Sequence, residues 1–306
     1  MKDFDLRDLD AFVAVARTRN FRRAALEQRV SVSSLSQRLR SMEERLGVRL
    51  MNRTTRSVAL TEAGELLLAR VGPAMSDVGD ALDQVRGLRG LPSGRLRINA
   101  PPPAIDLVLA PMVAPFLKAY PQIDLEIVSD SGFVDIVAAG FDAGVRYGEH
   151  LAQDMIPVSL GLPQRYAVVA SPQYVAQHGR PKHPKDLLHH AAIRTRFGSG
   201  AMPDWEFEKG GRIVKVAPPG KLIATYTGLA RRAALDGVGF WPTFEGYVRE
   251  QVASGKLVSV LEDWCAPFPG PFLYYPSRRQ PPPALGAFVA FVAEWRKQER
   301  RGDQGT

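Results

Sequence analysis

Ser31, Ser33, Ser34, Gln37, Arg38 and Arg40 stand in one short stretch, SVSSLSQRLRSMEERL, running from Ser31 to Leu46. Hydroxyls, an amide and guanidiniums are the groups that hydrogen-bond to base edges and phosphate oxygens. Gln can bond bidentately to adenine, and Arg to guanine. Leu35, Leu39, Met42 and Leu46 recur in the same stretch at intervals of four, three and four. That spacing is one narrow apolar stripe on an α-helix. Ser31 is placed to cap the start and Gly47 to end it. The stretch therefore predicts a helix that buries a stripe and offers a face without a carboxylate until Glu43. The competing reading is a solvated amphipathic helix.

A second polar group follows in VRLMNRTTRSVALT. Val48, Leu50, Val58 and Leu60 read as two short strands around the tip Arg53-Thr54-Thr55-Arg56. Ser33, Ser34, Gln37 and Arg38 are the candidates for the major groove, and Arg40, Arg53, Thr55 and Arg56 those for phosphate or minor-groove contacts. Arg22 and Arg23, in a short helix capped by Asn20, flank either the nucleic-acid backbone or solvent. Net charge supports a polyanion partner. The chain carries +8, and residues 1–60 hold thirteen Lys+Arg against seven Asp+Glu.

Other elements must position these groups. Leu6, Leu9, Phe12, Val13 and Ala16 predict a first helix capped by Asp5, and Phe21, Ala24 and Ala25 a second. Two short helices and a tight turn before a polar-faced helix have the arrangement of a helix-turn-helix, and the hairpin beside it that of a wing. Thr61 caps a long helix in which Leu67, Val71, Ala74, Val78, Ala81, Val85 and Leu88 form a heptad seam, with Pro73 expected to kink it. Such a seam predicts a dimer, which a palindromic site requires. Beyond Gly87, Gly90 and Gly94 the pattern alternates strands and helices twice, then returns through FLYYP to a terminal helix from Ala284. Two α/β lobes with a cleft between them follow from that rhythm. Pro111 and Pro115 are expected to break or bend the first helix of this part.

The N-terminal third closely resembles the LysR-type transcriptional regulators. The residues that carry the resemblance are Phe21, Ala24-Ala25, Ser31, Ser36, Glu43, Leu46-Gly47, Leu50, Arg53, Thr55, Leu60-Thr61 and Gly64. YPQIDLEI, GFDAGVRYGE and LEDWC…LYYPSRRQPPPAL are similar to the CrgA-like subgroup. The resemblance implies a winged helix-turn-helix N-terminal domain (α with a β-wing) plus an α/β two-lobed periplasmic-binding-protein-like (type II) effector domain. It places residues 1–61 in the DNA-binding domain, 62–91 in a dimerising linker helix and hinge, and 92–306 in the effector domain. Lobe I then takes about 92–164 and 270–306, and lobe II about 165–269. It further implies inverted-repeat promoter DNA, a homodimer assembling to a homotetramer, and RNA polymerase as partners. Against the family pattern, Gln28 stands where Leu is usual, Arg29 where Gly is usual, Val32 where Gln or Pro is usual and Met51 where Phe is usual.

Effector contacts are expected at strand ends and lobe crossings. The candidates are Pro101, Pro102, Pro103, Ser129, Ser131, Arg146 and Tyr147 in the first lobe. Phe197, Thr225, Thr227, Trp241 and Thr243 are those of the second. Arg146 with the hydroxyls suits a carboxylate, and Tyr147, Phe197 and Trp241 suit an aromatic ring, so a small organic effector of either kind is expected. Catalysis finds little support. Cys265 lies between Trp264 and Ala266-Pro267 as a packing residue, and His189-His190 are adjacent and point apart, so neither a cofactor nor a metal is expected. With one cysteine, no run approaching a membrane span and no secretory signal, the cytoplasm is the expected compartment.

Overall fold

The computed structural model describes residues 5–53, 58–87, 92–130, 132, 135–137, 139–148, 155–197, 200–276 and 281–303. The chain opens with α1 (Leu6–Thr18), α2 (Phe21–Glu27) and α3 (Val32–Leu46). Each begins where a side-chain oxygen satisfies its first N–H groups. Asp5 accepts from Arg7 N, Asn20 from Arg22 N and Arg23 N, and Ser31 from Ser34 N. Gly47 ends α3 at φ 69°, in the left-handed region that glycine enters without strain. Phe12, Val15, Ala24, Ala25, Leu35, Leu39 and Met42 share one core with Leu50 and Met51. β1 (Met51–Arg53) and β2 (Val58–Leu60) pair antiparallel as the wing, Met51 opposite Leu60. Val48, expected within the first strand, lies outside it and is exposed.

α4 (Glu62–Gly87) starts on this core through Ala63, Leu67 and Leu68. Pro73 lies inside the helix, which runs on through it. Farther along, Val78 and Leu82 are exposed. Leu88 lies outside the described residues, as does the side chain of Val85.

Lobe I is built on β3 (Gly94–Ala100), β4 (Ile123–Ser129), β5 (Ala143–Arg146), β6 (Met155–Ser159) and the late strand β14 (Phe272–Pro276), in the order β4-β3-β5-β14-β6. β3 runs parallel to β4 and β5, and β14 antiparallel to both its neighbours. Pro157 places β6 at the sheet edge, where a missing N–H costs no ladder bond. Leu96, Ile98, Val145 and Leu273 pack beneath Met112 and Phe116 of α6 (Ala110–Ala119) and Phe288 of α10 (Pro283–Asp303). The helical run begins at Pro102 with α5 (Pro102–Ala104) and does not break at Pro111 or Pro115. A π-turn over Ile105–Leu109 widens the backbone just before Pro111, where a normal turn would set its ring against a carbonyl. Pro102–Ala119 is long and apolar enough to cross a membrane, contrary to the reading that no run approaches a span. Its Leu109, Met112 and Phe116 are instead packed in the lobe I core.

Lobe II repeats the plan. It contains β7 (Tyr166–Ala170), α7 (Pro172–His178), β8 (Ile193–Arg194), the hairpin β9 (Trp205–Lys209) and β10 (Arg212–Val216), and β11 (Leu222–Ile223). α8 (Thr227–Leu235), β12 (Trp241–Phe244), α9 (Arg249–Ala253) and β13 (Val258–Val260) complete it. The Ala192–Phe240 bridge joins the β11-β8 pair to β12-β7-β13, so the strand order β11-β8-β12-β7-β13 matches that of lobe I. In each lobe the antiparallel strand, β14 or β7, arrives from the other lobe. Gln164 and Phe268 pair where the two connections cross, their N–H groups donating to each other's carbonyls at 2.9 and 2.8 Å.

Candidate DNA interface and interlobe cleft

With Leu35, Leu39 and Met42 buried, α3 turns Ser33, Gln37 and Arg40 outward on one exposed face, and Ser34 and Arg38 sit half-buried beside it. Ser31 is exposed but occupied. Its Oγ caps Ser34 N at 3.1 Å and lies 3.0 Å from Ser33 Oγ. Arg40 Nη2 donates to Ser36 Oγ at 3.3 Å, which stretches the guanidinium along the helix surface. Arg22 and Arg23 are exposed at the start of α2, and Arg23 is 3.6 Å from Glu27. Thr55 and Arg56 lie outside the described residues, and so does the side chain of Arg53.

The wing is fixed to this helix by one carboxylate. Glu43 Oε1 accepts from Leu50 N at 2.9 Å and from Met51 N at 3.1 Å. Thr61 Oγ1 donates to Arg49 O at 2.7 Å and accepts from Gly64 N at 3.1 Å, joining the base of the wing to the start of α4. Gly64 packs so closely that a Cβ there would stand 2.1 Å from Leu50 O. Two of the unusual residues find their places in this head. Gln28 Nε2 donates to Asp10 Oδ2 at 2.8 Å, so its amide is partnered. Arg29 takes φ 53°, the left-handed conformation that glycine adopts at lower cost.

Between the lobes, the carboxyl ends of the parallel strands converge. Pro101, Pro102 and Pro103 are half-buried where β3 gives way to α5, Ser129 is exposed at the end of β4, and Tyr147 follows β5. From lobe II, Thr225 is exposed after β11 and Thr227 opens α8, while Phe197 is exposed in the loop after β8. Ser131 lies outside the described residues. The structure corrects three of the expectations. Arg146 is 5% exposed and gives its guanidinium to Asn99 Oδ1, Val145 O and Gly132 O, so it tethers lobe I from within instead of receiving a carboxylate. Trp241 is 3% exposed in the lobe II core with Val169 and Ala230, because β12 begins at Trp241 and carries Phe244, not Trp241, toward the crossing. Thr243 is buried as well.

Sequence reasoning named Tyr147 but missed the three rings it joins at the crossing. Tyr147, Tyr166, Phe244 and Phe268 form one group, with Phe244 4.8 Å from Tyr166 and 5.2 Å from Tyr147 between ring centroids. The available signal was an aromatic residue at or beside an end of β5, β7 and β12. Burial pushes the Tyr147 phenol well above its ordinary range. Tyr247 OH donates to Asp106 Oδ2 at 2.7 Å, a bond from lobe II to lobe I. Burial first, and then the Asp106 carboxylate, keep that phenol protonated. Elsewhere Cys265 is buried in the second lobe II core, and burial pushes its thiol up to about 11. Among the described residues no group of three His, Cys, Asp or Glu side chains is placed to hold a metal.

A winged helix-turn-helix head joined by a long helix to two matched α/β lobes defines the class: a DNA-binding regulator with a ligand-binding domain. Comparison with known proteins gives the family. Residues 6–65 match the bacterial regulatory helix-turn-helix proteins of the lysR family, and residues 89–297 match the LysR substrate binding domain. The chain belongs to the LysR family of transcriptional regulators. It is 44% identical over 286 residues to a putative transcriptional regulator of Pseudomonas aeruginosa, covering 93% of this chain and 94% of the relative. It is 39% identical over 290 residues to the regulator PgrR of Escherichia coli, covering 94% and 97%. Among solved structures, the full-length Vibrio cholerae virulence activator AphB matches with a TM-score of 0.65 at 26% identity, covering 96% of this chain and 100% of that one. CrgA from Neisseria meningitidis matches with a TM-score of 0.57 at 28% identity, covering 95% and 99%.

Proposed function

We propose that this regulator binds inverted-repeat promoter DNA through α3 and the wing, as a homodimer that assembles further to a tetramer, and that a small organic effector in the interlobe cleft switches it. The observation that carries this reading is the outward face of α3, where Ser33, Gln37 and Arg40 stand over a buried Leu35–Leu39–Met42 stripe. Base-edge chemistry suits Ser33, Ser34, Gln37 and Arg38 for the major groove, and Arg40, Arg53, Thr55 and Arg56 for phosphates or the minor groove. The exposed Val78 and Leu82 of α4 support pairing along the linker helix.

In the cleft, the Tyr147–Phe244 pair favours an effector with an aromatic or other flat apolar body, held at its polar end by Ser129, Thr225 and Thr227. Closure of the lobes around it requires that the effector bind the two arrangements with different affinity, since equal affinity shifts nothing. Contact with RNA polymerase and work in the cytoplasm complete the reading. Genomic footprinting of the purified protein, followed by ligand screening on a recovered promoter, tests it. A discrete palindromic site whose occupancy responds to one small molecule is the expected result. Uniform, sequence-independent protection overturns it.

A further inference from the structure

A cavity of about 490 Å³ lies between the DNA-binding domain and lobe I, apart from the interlobe cleft. Its floor is the face of the lobe I sheet opposite Leu96 and Ile98, which carries Arg97 and Asn99 by strand alternation. One wall holds Arg17, Arg19, Arg23 and Glu27, from the end of α1 through α2. Glu27 is engaged by Arg17 and approached by Arg23, which leaves Arg19 with no acceptor among the described residues. The other wall holds Arg97, Glu126 and Asp130. Arg97 is taken by Glu126, with Nε 2.8 Å from Oε2, and by Gly140 O. Asp130 accepts only Gly132 N, at 2.7 Å, among the described residues, and no ion pair joins it to the basic wall.

Asn99 adds a directional demand. It is 1% exposed, and its Oδ1 is fixed by the Arg146 Nη2 donor at 2.8 Å. The amide cannot flip without losing that bond, so Nδ2 faces away from Arg146 and has no acceptor. A buried N–H left without a partner is unfavourable, and a ligand oxygen would supply the missing acceptor. One cavity thus gathers an unanswered cation, an unanswered buried donor and a carboxylate on the opposite wall.

We propose that this cavity is a second ligand site, taking a small zwitterion with its carboxylate toward Arg19 and Asn99 and its ammonium toward Asp130. The volume falls within the range of small-molecule sites, roughly 300–1,000 Å³. Such a ligand bridges the α1–α2 turn to lobe I and so links its own concentration to the freedom of the DNA-binding head. This site stands independently of the cleft effector.

Isothermal titration of the full-length protein with glycylglycine tests the proposal. Saturable binding is expected, with N-acetylglycine and glycinamide, which each lack one of the two charges, at least tenfold weaker. Arg19→Gly and Asn99→Asp are each expected to weaken glycylglycine at least tenfold. Arg19 has φ 48°, so glycine there keeps the fold, and aspartate at position 99 keeps the acceptor for Arg146 while removing the donor. Tyr147→Ala, in the interlobe group, is expected to leave the titration unchanged. Absence of saturation, equal affinity for the three probes, unaltered binding in both cavity variants, or loss of binding in Tyr147→Ala overturns it.

Discussion

Replacing Glu43 by alanine should loosen the wing without unfolding the rest of the molecule. One oxygen, Oε1, accepts both Leu50 N and Met51 N, and both residues are 2% exposed. Alanine leaves two N–H groups of buried residues without their carboxylate acceptor. Hydrogen bonds to charged groups contribute about 1.5–3 kcal/mol each, but a shared acceptor and local relaxation make the pair less than additive. About 3 kcal/mol is therefore expected, which corresponds to roughly a hundredfold faster amide exchange through opening of the wing. Glu43→Gln keeps an oxygen in place and loses only the charge, so its cost should be about 1 kcal/mol, or roughly fivefold. Glu44→Ala, on the exposed side of α3, should change neither amide. Hydrogen exchange at Leu50 and Met51, read by mass spectrometry on the intact protein, measures all three. Equal exchange in Glu43→Ala and Glu44→Ala would refute the role given to this carboxylate.

Three further perturbations test other parts of the account. Arg29→Gly should raise the unfolding free energy of the head by about 0.5–1 kcal/mol, the left-handed strain of φ 53° less the entropy glycine loses on folding, and a lower thermal midpoint would contradict it. Gly144→Ala sets a Cβ 2.3 Å from Tyr274 Cζ in a buried ring contact, so a loss of about 2–3 kcal/mol in denaturant unfolding is expected, and a change within about 0.5 kcal/mol would be inconsistent with that packing. His190 is packed against Tyr174 and Phe240, and burial holds its imidazole below the usual 6.5. Because the folded state resists its protonation, lobe II should lose stability as pH falls below 6.5, and His190→Phe should flatten that slope between pH 7 and 5. An unchanged slope would assign the dependence elsewhere.

Local signals carried much of the architecture. The caps Asp5, Asn20, Ser31 and Thr61, the Gly47 terminus and the stripe of α3, buried at Leu35, Leu39 and Met42 though not at Leu46, are all short-range choices, visible as residue types at fixed offsets. What escaped was set by distant partners. The anchoring of the wing by Glu43 joins positions that no periodicity links. β6 was hidden because Pro157 argues against a strand unless that strand lies at an edge. Arg146 reads as a ligand-binding cation at a strand end until Asn99 and Gly132 are seen to occupy it. Trp241 is expected at the end of a strand, whereas β12 starts there and buries it. The match between the strand orders of the two lobes depends on β14 and β7 crossing over, which no local pattern announces.

The central claim is that the exposed face of α3 reads DNA sequence. Its most direct test is the ratio of affinities for a footprinted operator and for random duplex, measured at one fixed salt concentration for wild type and Gln37→Ala. Loss of a bidentate base contact is worth about 1–3 kcal/mol of discrimination, so the account predicts a ratio roughly five- to a hundredfold smaller, with affinity for random DNA nearly unchanged. Equal losses on the two duplexes, leaving the ratio at its wild-type value, would contradict it.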